Sequence, residues 1–213
     1  MKISILCSSR THPVNTYLEK WIRELDPKYT VDLIRTKNDL TNGNILFLIS
    51  CDEIVSLEDR ARYDKTLVIH ASDLPLGRGW SPHIWQIVEG ATEITVSLLE
   101  AEDVVDSGDI WKKLAVHIPL NALWNEINHV IFEAELELMS FAIGQFDLVT
   151  PQTQEAAIAP TYYSRRTPKD SKLDANLSIQ DQFDQIRVCD PDRYPAYFDL
   201  RGERYLVRLE KKK

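Results

Sequence analysis

Three short apolar runs constrain what this chain can fold into more than any other feature of its sequence. They lie at residues 2–7, 45–50 and 66–70, and the second and third, ILFLIS and TLVIH, are apolar at successive positions rather than alternate ones. Successive apolar side chains indicate strands that are buried on both faces, as in parallel sheets covered by helices. The runs therefore predict an α/β fold.

Helical patterns separate these runs along the chain. After Pro13, apolar residues recur at spacings of three and four as far as Leu25, which predicts an amphipathic helix. Further strands are predicted at 30–34, 93–99 and 110–118, with helices through 85–88 and over 120–143. Alternating strands and helices are typical of βαβ units. We expect a Rossmann-like, mostly parallel sheet with helices on both faces.

The composition changes after Gly144. Residues 150–176 contain three prolines and little periodicity, which indicates an irregular linker. A short helix at 178–188 and strands at 196–200 and 204–209 are predicted to follow. We divide the chain into a first domain over 1–150 and a linker with a small C-terminal α+β domain over 151–213.

Charge and apolar content limit the function classes. The chain has 213 residues and a formal net charge of −8, which disfavours general nucleic-acid binding, since phosphate contacts need basic side chains. No apolar run approaches the roughly 20 residues that cross a bilayer. The N-terminus lacks a signal-peptide cleavage site, so we expect a cytoplasmic protein without membrane or nucleic-acid partners.

Three cysteines, Cys7, Cys51 and Cys189, are too few and too widely spaced for a disulfide framework or a zinc cluster. We expect buried thiols and no metal site. The segment after the first strand, CSSRTHP, lacks the glycine-rich turn of dinucleotide-binding enzymes, which excludes that reading of the α/β pattern.

The glycines point to a site. The chain has seven, and four of them fall between residues 77 and 108, where they serve either ordinary turns or a close approach of backbone to ligand. His70 ends a predicted strand, where ligands bind in open α/β sheets, and an imidazole there is either structural or a proton shuttle. Asp106 and Asp109 follow the next strand and are either turn residues or partners of that imidazole.

Two phrases together carry a family resemblance. IHASDLPLGRGWSP at 69–82, followed about 30 residues later by VVDSGDI at 104–110, resembles the signature of formyltransferases that use 10-formyltetrahydrofolate. The resemblance covers 45–118 and resumes at 162–205, where YYSRRTPKDSKLD and PAYFDLRGERY are similar to members that act on nucleotide-linked amino sugars. The RRTPKDS phrase is closer to these sugar enzymes than to the enzyme that acts on methionyl-tRNA.

The resemblance implies acyl transfer from 10-formyltetrahydrofolate to an amine within the first domain. His70 and Asp106 match the family's catalytic histidine and aspartate. The pterin of the donor is expected near the segments that match Ser50–Ile54 and Glu102–Ser107. The residues that we expect to contact it are Ser50, Cys51, Ile54, Asp103 and Val105. No metal is implied.

On the acceptor side, arginine is suited to a diphosphate because its planar guanidinium donates two parallel hydrogen bonds. Arg78 in the glycine-rich phrase and Arg165 and Arg166 in the RRTP phrase are the candidates, against the commoner fate of a solvated arginine. Gly79 and Trp80 are expected to line the same pocket. The resemblance also implies a homodimer, because the sugar enzymes of the family often form one.

One position departs from the family pattern. The family motif usually carries an asparagine two residues before the histidine, and this chain has Val68 there. Valine cannot hydrogen-bond the formyl oxygen, so another donor must replace it or the activity is weaker or different. The candidate replacements are Ser50, Ser72, His83 or a backbone N–H.

Three functions remain open at the level of sequence. The first is N-formylation of a nucleotide-linked amino sugar for surface polysaccharide such as lipopolysaccharide O-antigen. The second is formylation of another amine, on an aminoacyl-tRNA or a small metabolite. The third is a non-catalytic relative that binds folate or a nucleotide, for which Val68 is the best support.

Overall fold

The computed structural model describes residues 1–212. Its strands and α-helices, in chain order, are β1 (Lys2–Leu6), α1 (Val14–Glu24), β2 (Thr30–Ile34), β3 (Gly43–Leu48), α2 (Leu57–Arg60), β4 (Tyr63–His70), β5 (Arg78–Gly79), α3 (Pro82–Val88), β6 (Glu93–Glu100), β7 (Ile110–His117), α4 (Trp124–Gly144), β8 (Tyr162–Tyr163), α5 (Phe183–Arg187), β9 (Ala196–Leu200) and β10 (Glu203–Val207). Single 3₁₀ turns lie at Lys37–Asp39 and Pro168–Ser171. None of the helices in residues 1–212 combines the length and apolarity needed to cross a membrane.

The central sheet has six strands in the order β2-β1-β3-β4-β6-β7. The first four are parallel, whereas β6 runs antiparallel to both β4 and β7. The predicted α/β fold with a mostly parallel sheet is confirmed.

The reversal at β6 has a simple cause. An eight-residue strand such as β4 is about 26 Å long, whereas the seven-residue α3 that follows it spans only about 10 Å. Because α3 is too short to carry the chain back along β4, and the residues on either side of it in 71–92 do not do so either, β6 begins at the end where β4 finishes. No helix separates β6 from β7, so they also pair antiparallel.

Both faces of the sheet are covered. Ile3, Ile5 and Phe47 join the large core beneath α1, α3 and α4, while Leu6 and Leu46 point to a smaller cluster on the other face, covered by α2 and irregular segments. Side chains at successive positions of β1 and β3 are thus buried on opposite faces. This explains the continuous apolar runs of the sequence.

The chain after residue 150 returns to the first part before forming its own small cluster. Strand β8 pairs with β5, and Gln152 bridges to Ile110 at the start of β7. Beyond residue 170, α5 packs against the β9–β10 hairpin, whose apolar contacts form a cluster of Leu173, Ile186, Cys189 and Ala196. The buried Arg187 ties this unit to the start of α4, since it donates to the carbonyls of Pro119 and Ala122.

Candidate active site

A cavity of about 730 Å³ opens beyond the carboxyl ends of β1, β3 and β4. Its walls come from the segments that follow these strands, from residues 100–106, from α3 and α4, and from the C-terminal part. Ligands of open α/β sheets bind in this position, at the carboxyl ends of the strands.

His70 is the last residue of β4 and is 7% exposed, at the cavity wall. Its Nε2 lies 2.8 Å from the carbonyl oxygen of Gly77, so Nε2 carries a hydrogen and donates it. Its Nδ1 lies 3.6 Å from Oδ1 of Asp106, which is an ion-pair distance beyond direct hydrogen bonding. Both ring nitrogens therefore face oxygen atoms.

Asp106 is 9% exposed and has a left-handed backbone with φ of 56°. Strand β6 runs antiparallel to β4 and ends beside Leu67 rather than beside His70. The loop must therefore fold back along β4. The Gly79 N–H holds the folded-back loop in place by donating to Asp106 Oδ2 at 2.9 Å.

Gly79 is required at its position. Its φ is 99°, and a Cβ there would lie 2.4 Å from the carbonyl oxygen of Tyr163 in β8. The close pairing of β5 with β8 therefore depends on a residue without a side chain. This pairing places the Gly79 N–H within hydrogen-bond distance of the Asp106 carboxylate.

Gln154, which the sequence did not single out, holds the loop of residues 101–109 that carries Asp106, called here the aspartate loop. Its Nε2 donates to the carbonyls of Asp106 and Gly108 at 2.8 and 3.0 Å, and its Oε1 accepts from Arg78 Nη2 at 2.7 Å. Arg78 also donates to the Tyr162 hydroxyl at 3.4 Å and does not line the cavity. The structure therefore does not bring Arg78 into the cavity, where it was expected to bind a phosphate, because its guanidinium is bonded to Gln154.

Replacing Gln154 with leucine is expected to lower the free energy of unfolding by about 2–3 kcal/mol, since three polar partners lose their hydrogen bonds. The same change should reduce turnover by loosening Asp106. Urea unfolding measures the first effect. Gln152→Leu is the control, because the Gln152 side chain is exposed and bonds only to the carbonyl of Thr150; equal unfolding energies for the two variants would contradict this role of Gln154.

All five residues predicted on the donor side line one end of the cavity: Ser50, Cys51, Ile54, Asp103 and Val105. Ile54 and Val105 are 71% and 53% exposed, which leaves apolar surface facing this end. Buried Arg60 braces the two segments, because it donates to the Val55 carbonyl at 3.0 Å and pairs with Asp103 at 2.6 Å.

All three cysteines have free thiols, and Cys7 and Cys189 are buried as expected. Cys51 is partly exposed at the cavity wall. Burial of its thiol raises the pKa of Cys51 to about 11, so the side chain stays protonated near neutral pH. Cys51 therefore contributes surface rather than a nucleophile.

The acceptor-side residues Gly79, Trp80, Arg165 and Arg166 line another part of the cavity. The guanidinium of Arg165 lies 4.4 Å from the centre of the Trp80 ring, and that of Arg166 lies 5.7 Å from the Trp85 ring. Arg166 also donates to the Asp170 carbonyl at 3.1 Å. Two cations held on aromatic faces give this part of the cavity a positive rim.

Val68 also lines the cavity, packed against Leu74, Leu99 and Ile110. Of the side chains considered as replacements for the family asparagine, Ser50 and His83 line the cavity, whereas Ser72 does not. The cavity wall also contains His12, Asn128, Phe132 and Glu135, none of which the sequence singled out. Their helical or loop positions carry no local signal of a site.

Within residues 1–212, no group of three or more His, Cys, Asp or Glu side chains lies close enough together to hold a metal ion.

Known proteins with a similar sequence or fold include formyltransferases. No family model matches the chain. A methionyl-tRNA formyltransferase of Protochlamydia amoebophila is 30% identical over 148 residues, which cover 67% of this chain and 46% of that protein. The chain thus spans about half the length of that relative.

Two solved structures share the fold. A methionyl-tRNA formyltransferase from Clostridium thermocellum superposes with a TM-score of 0.81 at 25% identity, covering 96% of this chain and 90% of the other. An N-formyltransferase from Helicobacter canadensis, solved in complex with folinic acid and dTDP-3-aminofucose, has a TM-score of 0.71 at 18% identity, covering 95% and 85%. In sequence and in fold alike, this chain is similar to formyltransferases.

Proposed function

We propose that this protein transfers the formyl group of 10-formyltetrahydrofolate to the primary amine of a nucleotide-linked amino sugar. The observation that carries the proposal is the buried His70–Asp106 pair in a cavity with an apolar end and a cationic rim. In this proposal, residues 1–150 supply the catalytic domain, and the C-terminal part contributes Arg165 and Arg166.

The apolar end fits a folate. Ile54 and Val105 expose side chains that a flat pterin ring would cover, and the Arg60–Asp103 pair holds the two segments that carry them. Ser50 and Cys51 complete this end. When bound, 10-formyltetrahydrofolate supplies an electrophilic formyl carbon.

Asp106 and His70 divide the proton and charge chemistry. Asp106 keeps its carboxylate oriented through the Gly79 N–H and accepts the proton that the amine loses as its nitrogen bonds to the formyl carbon. The bond between that carbon and N10 of the donor then breaks, and the proton passes to N10, so that tetrahydrofolate leaves with an N–H. The Nδ1 edge of His70 faces Asp106, so the ring lies beside the reacting carbonyl and stabilises negative charge on its oxygen. The Gly77 carbonyl fixes the ring orientation.

The cationic rim suits a diphosphate. Arg165 and Arg166 present guanidinium groups on the rings of Trp80 and Trp85, and the N–H groups that are not bonded to the Asp170 carbonyl can donate to phosphate oxygens. Two arginines at the mouth of a cavity on a chain with net charge −8 favour a small anionic acceptor over an extended nucleic acid.

A second acceptor class has one observation in its favour. Two of the relatives described above are methionyl-tRNA formyltransferases, so transfer to an aminoacyl-tRNA is the alternative. Binding of an aminoacyl-tRNA needs a basic protein surface that contacts the phosphate backbone of the RNA. The homodimer and the cytoplasmic setting stay predictions.

The deciding experiment mixes the protein with 10-formyltetrahydrofolate and a panel of UDP-, dTDP- and GDP-linked amino sugars, with methionyl-tRNA in parallel. Mass spectrometry is expected to find one sugar carrying one added formyl group. Formylation of methionyl-tRNA alone would replace the sugar by the tRNA. No transfer to any amine, with folinic acid still bound, would leave a non-catalytic folate-binding relative.

A further inference from the structure

One region of the cavity has no part in the chemistry described above. Helix α4 turns a stripe toward the cavity at spacings of four, four and three residues: Trp124, Asn128, Phe132 and Glu135. These spacings place the four side chains on one face of a helix. His12 and His83 line the cavity as well, and the His12 ring lies 5.8 Å from that of Phe132. We call the group of His12, His83, Asn128 and Glu135 the α4 recess.

Two polar atoms of the α4 recess are buried without a partner. Among residues 1–212, neither Oε2 of Glu135 nor Nδ1 of His83 has a hydrogen-bond partner. A buried polar atom without a partner costs stability, and native proteins satisfy nearly all of them. Two such atoms in one cavity wall indicate that a ligand supplies the missing hydrogen bonds.

The charge state of the recess indicates the kind of ligand. Burial raises the pKa of Glu135 to about 8, and burial together with nearby positive charges lowers the pKa of His83 to about 4. The pKa of His12 is also lowered to about 4, chiefly by burial. At neutral pH all three side chains are therefore uncharged, and each offers hydrogen-bond donors or acceptors.

An uncharged polar recess does not suit a phosphate, which needs positive charge. It suits hydroxyl groups, which both donate and accept. Asn128 adds an amide, and the rings of Trp124 and Phe132 add apolar surface to the same wall. Hydroxyl groups arranged on a small ring with an apolar face are the chemistry of a sugar.

We propose that the α4 recess binds the hydroxyl groups of the acceptor's sugar ring, and that Glu135 and His83 determine which sugar is accepted. This inference rests on the proposed function. The recess shares one cavity with His70 and Asp106, so a sugar held there presents its amine to them, while Arg165 and Arg166 hold the diphosphate.

The test uses Glu135→Met, which removes the polar atoms, and Glu135→Gln, which keeps one donor and one acceptor as the protonated carboxyl does. The KM is measured for whichever UDP-, dTDP- or GDP-linked amino sugar the wild type formylates. We expect Glu135→Met to raise the KM at least tenfold and Glu135→Gln to restore it to within threefold of wild type. His83→Leu should behave like Glu135→Met.

Three controls separate an effect on sugar binding from an effect on the fold. Glu133→Met makes the same change on the exposed face of α4 and should leave the KM unchanged. The Kd for folinic acid should stay within twofold in all variants, since the donor end of the cavity lies elsewhere. The Tm of Glu135→Met should be at least that of wild type, because an unpartnered buried carboxyl is removed.

Where the wild type formylates a sugar, two outcomes would overturn the α4 recess as a sugar site. The first is an unchanged KM in Glu135→Met, and the second is a lower Tm together with equally weakened binding of folinic acid, which would mark Glu135 as structural. A wild type that formylates no sugar is a separate case, in which the proposed function fails first. Calorimetry with the same panel then decides: a sugar nucleotide bound more tightly than its bare nucleotide by wild type, but not by Glu135→Met, keeps the recess, and any other result overturns it.

Discussion

Replacement of His70 by glutamine is expected to lower kcat for formyl transfer by about 10²- to 10⁴-fold, with little change in the Kd for folinic acid. The reason is geometric, since His70 places one ring nitrogen on Gly77 and the other toward Asp106. A glutamine amide can keep the bond to the Gly77 carbonyl but places no second ring nitrogen beside Asp106 and the reacting oxygen. Single-turnover kinetics with the accepted sugar measure the chemical step directly.

Asp106→Asn should show a loss of the same order. The asparagine oxygen can still accept from the Gly79 N–H, so the loop keeps its place while the proton acceptor is lost. His117→Gln serves as the control, because His117 is exposed at the far end of β7. A His70 or Asp106 variant within threefold of wild-type kcat would remove that residue from the mechanism.

The second large effect concerns the backbone of the aspartate loop. Gly108→Ala is expected to lower the free energy of unfolding by about 3 kcal/mol or more, because a Cβ at this position would lie 1.9 Å from the backbone carbonyl oxygen of Glu100. A carbonyl inside a strand cannot move aside as a flexible side chain can. The Tm should fall by about 6–12 °C for a chain of this size.

The same variant should lose most of its activity, because Gly108 lies two residues after Asp106 and both of their carbonyls are held by Gln154. Gly144→Ala is the matched control. An added Cβ there meets nothing within 4 Å, and Gly144 is the last residue of α4, so alanine should stabilise the protein by about 0.5–1 kcal/mol. Equal Tm values for the two variants would contradict the steric argument.

The strands show what local pattern can predict. The apolar runs at 2–7, 45–50 and 66–70 became β1, β3 and β4 with boundaries within three residues, because burial on both faces leaves a direct imprint on sequence. The direction of β6 left no such imprint. Its residues are equally buried in either direction, and the length of α3 decided the outcome.

Some residues of the site could likewise be predicted from local sequence, whereas others could not. His70 and Asp106 could be proposed because each lies within a phrase of characteristic residues, and the structure brings them to one cavity wall. Arg78 lies in the same phrase, yet its guanidinium is held by Gln154, a residue 76 positions away. Side-chain direction at that position depends on a contact that no local pattern records.

From the sequence alone one predicts the order of the main strands and helices, the α/β class, the position of His70 at a strand end and the family resemblance around it. One does not predict that the aspartate loop folds back to His70, that Gln154 holds it there, or that His83 and Glu135 face one cavity from different helices. Periodicity reports how each segment is buried, whereas a site is made by contacts between segments that lie far apart in the chain.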